Sequence, residues 1–134
     1  MNSCLPRIEI SLSQIRENTQ VLSDLYLGKG ISLMGVTKAV LGEPSIAKAM
    51  IQGGVKLIAD SRIENILKMK NAGISTPFVL LRTPLSQAET IVENVSISLN
   101  TEIETLKNLS YHAKIQNKIH QVIIMVELGD LREG

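Results

Sequence analysis

Aromatic residues are nearly absent from this chain. Its 134 residues include two Tyr, one Phe and no Trp. Any core must therefore be aliphatic, and a hydrophobic content of 44% supplies the material for one. The scarcity of rings argues against modules that stack nucleic-acid bases on aromatic side chains. The net charge of +1 likewise provides no basic surface for nucleic acid or an anionic membrane.

Cysteine and long apolar runs are also scarce. The single cysteine, Cys4, cannot form an internal disulfide or a zinc cluster, and no histidine lies near it in sequence. No apolar run approaches the roughly 20 residues of a membrane-spanning helix. The start, MNSCLPRIEI, lacks the apolar stretch of a signal peptide. These absences predict a soluble, cytoplasmic protein with neither a nucleic-acid nor a membrane partner.

Short apolar runs instead alternate with segments of helical spacing. Nearly continuous apolar runs are typical of strands that are covered on both faces. Four capping-box patterns, which begin at Ser11, Ser61, Ser86 and Thr101, mark expected helix starts, and glycines follow three of the helical segments. The five predicted strands are ISLMGV (31–36), VKLIA (55–59), FVLL (78–81), VSISL (95–99) and VIIMV (122–126).

This alternation of strands and helices predicts an α/β fold with a parallel sheet. A doubly wound sheet and a (β/α) barrel both fit, but the chain contains neither a Rossmann fingerprint nor a Walker loop. A barrel of the TIM type needs eight strands and about 250 residues. The chain supplies about five strands and ends at LGDLREG, directly after the last run. We therefore expect that the chain either is a fragment or a truncated product, or completes its sheet with another copy of itself.

The most informative polar residue is Lys38, at the end of the first apolar run in GVTKAVLG. Active sites of parallel α/β folds lie at the carboxyl ends of strands. Lys38 is either a solvated residue at a strand end or an amine held in a pocket to attack a carbonyl. A partly desolvated lysine beside a second cation, here Arg62 or Arg132, would be activated for that attack. The desolvation would come from the apolar neighbours Val36, Ala39 and Val40.

Other polar residues at strand ends have simpler explanations. Strand ends meet water, so polar side chains are expected there. Ser61 and Thr101 are accounted for as helix caps. His112 and His120 lie on or after the last helix, and we predict that both are surface residues.

Three segments, GVTKAVLG, IAKAMIQGGVKLIADSRIENI and MVELGDLREG, resemble the alanine racemase N-terminal domain family. This is the fold-type III group of pyridoxal phosphate enzymes, and the resemblance is closest to the amino-acid racemase branch that includes ornithine racemase. It runs from Pro6 to Gly134 and covers only the N-terminal part of the family's barrel. The resemblance therefore implies an α/β fold of the parallel (β/α) TIM-barrel type that is incomplete, with residues 1–134 as the N-terminal portion of a longer barrel domain.

The resemblance implies a cofactor, pyridoxal 5'-phosphate, and an amino acid as the small-molecule substrate. Lys38 matches the lysine that holds the cofactor as a Schiff base and removes and returns the α-proton of the amino acid. Arg132 resembles the arginine that approaches the phenolic oxygen of the cofactor. Asp60, Ser61 and Arg62 match a segment at the second strand end and would line the cofactor pocket.

The sequence also departs from the family pattern. Alanine racemases read Lys-Ala-Asp-Ala-Tyr-Gly around the lysine, whereas this chain reads Lys-Ala-Val-Leu-Gly, and the Asp-Thr-Gly-Met run before the arginine is missing. A strict alanine racemase is therefore not expected. The family's phosphate site and second catalytic base come from positions after Gly134.

The activity consequently has alternatives. The chain is either part of a racemase, a non-catalytic pyridoxal phosphate-binding protein of the kind associated with cofactor homeostasis, or a truncated product without function. The predicted edge strands, 31–36 and 122–126, are apolar and unpaired, so we expect the chain to self-associate as a homo-oligomer.

Overall fold

The computed structural model describes residues 7–129 and residue 131. Within them, five helices alternate with five strands, and two short 3-10 turns, Lys38–Val40 and Leu85–Gln87, follow the first and third strands. The helices are α1 (Leu12–Leu27), α2 (Pro44–Gln52), α3 (Ile63–Asn71), α4 (Ala88–Asn94) and α5 (Ile103–Ile115). The strands are β1 (Met34–Val36), β2 (Leu57–Asp60), β3 (Phe78–Leu80), β4 (Ile97–Asn100) and β5 (Gln121–Ile124). Each strand overlaps one of the five predicted runs, which confirms that the strands exist, although their bounds differ from the predicted ones.

The strand order decides between the two architectures that the sequence left open. The five strands form one sheet in the order β1-β2-β3-β4-β5, and every neighbouring pair is parallel. A doubly wound sheet requires a point at which the order reverses, and this order contains none. Right-handed crossovers between consecutive neighbours place the connecting helices on one face. The sheet therefore has the winding of a (β/α) barrel, as expected, with five of its strands.

An aliphatic core joins the sheet to the helices. Its largest fully buried side chains include Ile58 and Leu80 from the sheet and Ile66, Met69 and Ile91 from α3 and α4. Burying an aliphatic side chain of this size contributes about 1.5–3 kcal/mol. The prediction of an aliphatic core is confirmed.

Three of the four predicted capping boxes do not form. Ser11 caps α1, since its hydroxyl accepts the N–H of Gln14. In α3, α4 and α5 the N-cap residue lies one position after the predicted serine or threonine, and no side chain caps the helix. The shift moves the hydroxyl out of register with the backbone N–H groups that a capping box satisfies.

The prediction of a surface position is wrong for His120, which is half-buried with both ring nitrogens hydrogen-bonded, whereas His112 on α5 keeps part of its surface exposed. His120 Nδ1 lies 3.2 Å from the Val95 carbonyl oxygen, which can only accept, so Nδ1 donates. Nε2 then accepts from the Ser98 hydroxyl at 2.8 Å. Burial lowers the pKa of His120, and the bond to Val95 opposes this shift. The neutral ring thus connects the start of β5 to β4.

The two outer strands of the sheet are β1 and β5, at the edges that the sequence predicted. On β5, Val122, Ile123 and Ile124 are 41%, 46% and 59% exposed. The described residues contain no helix that is long and apolar enough to cross a membrane.

Candidate active site

The parallel sheet brings the candidate residues to one edge. Val36 pairs with Ala59, so Lys38 follows β1 beside the point where Asp60 ends β2. The backbone N–H of Thr37 extends the pairing by donating to the Ala59 carbonyl at 2.9 Å. The structure therefore places Lys38 next to the segment Asp60-Ser61-Arg62, as the sequence predicted for neighbouring strand ends. Arg132 lies outside the described residues.

Lys38 opens a 3-10 turn and its side chain is exposed. The turn ends at Leu41 in a left-handed conformation, and Gly42 follows with φ +61°. The predicted desolvation of the amine by its neighbours is not observed within residues 7–129. Val36 is 40% exposed, Ala39 is exposed and Val40 is only half-buried. The strand is an edge strand, so no further strand among the described residues covers that side.

Asp60 is a buried carboxylate at this edge. It has no solvent exposure, and its two oxygens accept three hydrogen bonds. Oδ2 accepts from the Thr37 hydroxyl at 2.8 Å. Oδ1 accepts from the Arg62 backbone N–H at 3.1 Å and from Asn65 Nδ2 at 2.9 Å. A buried carboxylate is tolerated only when it is hydrogen-bonded in this way.

Ser61 and Arg62 lie closer to solvent. Ser61 is half-buried, and Arg62 is exposed at the N-cap position of α3. Their side chains are free of the Asp60 network, in which only the Arg62 backbone takes part. A hydroxyl and a guanidinium are therefore available at the edge beside Lys38. Direct contact of Asp60, Ser61 and Arg62 with a cofactor stays a prediction.

The segment after Lys38 is fixed against α3. Gly42 sits so close to Asn65 that an added Cβ would lie 2.7 Å from Asn65 Cβ. Lys68 donates to the Leu41 carbonyl at 3.5 Å and pairs with Glu43 at 3.2 Å. This ion pair lowers the pKa of Glu43.

Sequence reasoning did not identify Asn65 as a member of the site, nor the bond to Asp60 that makes Thr37 one. Their common partner is Asp60, and Thr37 lies 23 positions from it, so only the strand register brings the two together. Asn65 has a local signal, because it occupies the first turn of the helix that follows Asp60. No cluster of metal-ligating side chains occurs among the residues that the structure describes.

Comparison with known proteins identifies the family. The family model described as "Alanine racemase, N-terminal domain" matches residues 10–134. The chain belongs to this family. Ornithine racemase from Acetoanaerobium sticklandii is 41% identical over 130 residues, covering 96% of this chain and 36% of the relative. Lysine racemase from Thermotoga maritima is 35% identical over 130 residues, covering 96% of this chain and 37% of the relative. The chain thus spans little more than a third of the curated relatives that it matches.

Solved structures share the fold of this family member. Alanine racemase from Streptomyces coelicolor A3(2) superposes with a TM-score of 0.80 at 18% identity, covering 92% of this chain and 34% of that chain. Alanine racemase from Bartonella henselae, solved with covalently bound pyridoxal phosphate, gives 0.70 at 22% identity over 90% and 35% of the two chains. D-threonine aldolase from Filomicrobium marinum gives 0.78 at 18%, over 92% and 34%. Since an aldolase shares the fold, the fold alone does not decide the reaction.

Proposed function

We propose that this chain is the N-terminal portion of a pyridoxal phosphate-dependent amino-acid racemase. The observation that carries the proposal is the position of Lys38, separated by one residue from the end of β1, at the carboxyl edge of a sheet wound like a (β/α) barrel. Active sites of such barrels lie at this edge. Membership of the alanine racemase N-terminal domain family supports the same reaction.

The proposed substrates are amino acids with a second amino group, such as ornithine and lysine. The chain is 41% and 35% identical to the ornithine and lysine racemases, compared with 30% for alanine racemase 2 of Caldanaerobacter subterraneus subsp. tengcongensis. The departure from the Lys-Ala-Asp-Ala-Tyr-Gly pattern around Lys38 supports a substrate other than alanine.

The residues at the edge fit the chemistry of pyridoxal phosphate. The aldehyde of the cofactor needs an amine, which the exposed Lys38 side chain supplies. Its anionic oxygens need cations and hydrogen-bond donors, and Arg62 and Ser61 present these groups at the neighbouring strand end. The family resemblance adds Arg132 as a cation beside the phenolic oxygen.

When bound, the cofactor would supply an electron sink that stabilises negative charge on the α-carbon of the amino acid. Lys38 would hold the cofactor and would take or return the α-proton at its Nζ. Inversion requires a second acid on the opposite face of the α-carbon. The family resemblance places that acid after Gly134. Each positioned acid or base contributes about 10²–10⁴-fold to the rate.

The test follows exchange of the α-hydrogen of the amino acid with solvent, because this step needs only one base. The chain, supplied with pyridoxal phosphate, is incubated in D2O separately with L-ornithine, L-lysine and L-alanine, and deuterium at the α-carbon is measured by mass spectrometry. We expect deuterium in ornithine and lysine above the level that free cofactor gives, loss of this exchange in Lys38→Ala and retention in Lys56→Ala, since Lys56 is an exposed lysine at the opposite end of β2. Cofactor uptake that depends on Lys38 without any exchange would support the non-catalytic binding protein instead. Exchange that survives Lys38→Ala would contradict the proposal.

A further inference from the structure

Carboxylates are rarely buried in proteins, so the buried Asp60 side chain at the end of β2 calls for a structural reason. Asp60 is fully buried, and its three hydrogen-bond donors (the Thr37 hydroxyl, the Arg62 backbone N–H and the Asn65 side-chain amide) are all neutral. Burial of a charge costs free energy that neutral donors offset only in part. Asp60 also lies beside the residue that precedes Lys38, so its effect on geometry bears directly on the candidate site.

Asp60 acts from the helix side of the sheet. Gly35 faces that side, because an added Cβ would lie 3.0 Å from Met50 Sδ. Side chains alternate along a strand, so Thr37 faces the same way as Gly35, and its hydroxyl lies 3.8 Å from Met69 Sδ of α3. The Asp60 carboxylate meets Thr37 on this side. The Asp60 carboxylate therefore contacts the carboxyl edge of the sheet from its helix-covered face, between the sheet and α3.

Thr37 connects Asp60 to the loop that carries Lys38, residues 38–42. Its hydroxyl is held by Asp60 Oδ2 at 2.8 Å and also lies 3.2 Å from the Ala59 carbonyl oxygen. Its own carbonyl accepts the N–H groups of Val40 at 3.0 Å and Gly42 at 3.3 Å. One residue thus anchors both ends of the loop, and Lys38 is the next residue in the chain.

The far end of the loop is held by the same network. Asn65, which donates to Asp60 Oδ1, is also the residue against which Gly42 packs. Asp60 therefore connects to the loop through two routes, Thr37 at its start and Asn65 at its end.

We infer that Asp60 is a positioning residue that fixes the backbone of Lys38 through Thr37 and Asn65. The inference rests on the proposed function in so far as Lys38 holds a cofactor. The exposed Lys38 side chain has few neighbouring groups that hold it in place. A fixed backbone nevertheless reduces the number of directions in which its amine can point. Preorganisation of this kind lowers the entropic cost of bringing the reacting groups together.

The test compares two substitutions of Thr37 by amide hydrogen exchange. Thr37→Val keeps the shape of the buried side chain but removes the donor to Asp60, whereas Thr37→Ser keeps the donor. In Thr37→Val we expect exchange at the Val40 and Gly42 amides to accelerate about tenfold, which corresponds to the loss of a hydrogen bond to a charged group. Thr37→Ser should exchange as the original chain does. The Val95 amide, bonded to Ile91 in α4, serves as the internal reference.

A second readout reports on the amine. The chain is treated with pyridoxal phosphate and borohydride, and the labelling of Lys38 is divided by that of exposed Lys56. The ratio should fall toward one in Thr37→Val and remain high in Thr37→Ser. A ratio near one in the unsubstituted chain would count against the proposed function, whereas loop exchange would still decide the positioning role.

Two outcomes would overturn the inference. One is unchanged exchange at Val40 and Gly42 in Thr37→Val, and the other is equal acceleration in both Thr37 variants. Faster exchange at the Val95 amide would show that Thr37→Val destabilises the whole chain. In that case, Asn65→Ala tests the positioning role instead. It removes a donor from a half-buried helical position and should accelerate Gly42 while leaving Val95 unchanged.

Discussion

Gly42 provides the sharpest test of how the Lys38 loop packs on α3. Its φ of +61° lies in the left-handed region, and an added Cβ would lie 2.7 Å from Asn65 Cβ and 2.9 Å from the Asn65 backbone oxygen. Gly42→Ala therefore meets two penalties. The left-handed conformation costs alanine about 1–2 kcal/mol. Overpacking against a backbone that cannot move aside costs about 1–3 kcal/mol more.

Gly73 is a matched control for the first penalty. It has φ +82°, and an added Cβ would meet nothing within 4 Å. Gly73→Ala should therefore lose only about 1–2 kcal/mol. The difference between the two variants, about 1–3 kcal/mol, isolates the contact between Gly42 and Asn65.

Urea unfolding followed by far-UV circular dichroism measures both free energies of unfolding. In thermal unfolding, the same difference would appear as a lower midpoint for Gly42→Ala, by about 3–5 °C for each kcal/mol in a domain of this size. Equal losses in the two variants would refute the close packing of the loop on α3. A Gly42→Ala chain as stable as the original would also refute the left-handed conformation.

Three further predictions concern the core, the histidine and the exposed edge. Ile66→Ala should cost about 2–5 kcal/mol in urea unfolding because it opens a cavity in the core, whereas Val21→Ala at a 65% exposed position should change stability by less than about 0.5 kcal/mol. Burial lowers the pKa of His120, so between the folded and the unfolded pKa the unfolded chain binds more protons than the folded chain. The stability that the neutral ring contributes is therefore present above about pH 6.5 and is lost as the pH falls through the lowered pKa. His120→Gln should therefore flatten the dependence of the urea midpoint on pH below that value, and an unchanged dependence would contradict the assignment. Ile124→Lys should reduce self-association in sedimentation velocity, since it places a charge on the apolar edge strand; a concentration-independent monomer in the unsubstituted chain would exclude the predicted homo-oligomer.

The sequence predicts the strands well because buried parallel strands are continuous apolar runs, and VKLIA and FVLL stand out from the polar residues around them. It does not predict how the sheet is wound, because periodicity within a segment says nothing about which strands become neighbours. The failed boxes at Ser61, Ser86 and Thr101 show the limit of local motifs, since a helix start displaced by one residue leaves the sequence pattern intact and removes the bond.

In the candidate site, too, the sequence predicts individual positions but not the contacts between them. The positions of Lys38 and Asp60 at strand ends are predictable, because both are polar residues close to the end of an apolar run; that they form the site stays a prediction. Their relationship is not predictable, because the bond between Asp60 and Thr37 joins positions 23 apart and depends on the register of β1 on β2. The predicted desolvation of Lys38 is not observed within residues 7–129, because the prediction counts apolar neighbours in sequence, whereas exposure at an edge strand depends on what lies beside the strand in space.

The central claim is that Lys38 is the residue of this chain that takes pyridoxal phosphate. The most direct measurement is to mix the purified chain with the cofactor, reduce with borohydride and locate the pyridoxyl group by peptide mass spectrometry. The account predicts one dominant modification at Lys38, which disappears in Lys38→Ala and persists in Lys56→Ala. Labelling spread evenly over Lys29, Lys48, Lys56 and Lys38 would contradict it, because exposed lysines without a site react alike.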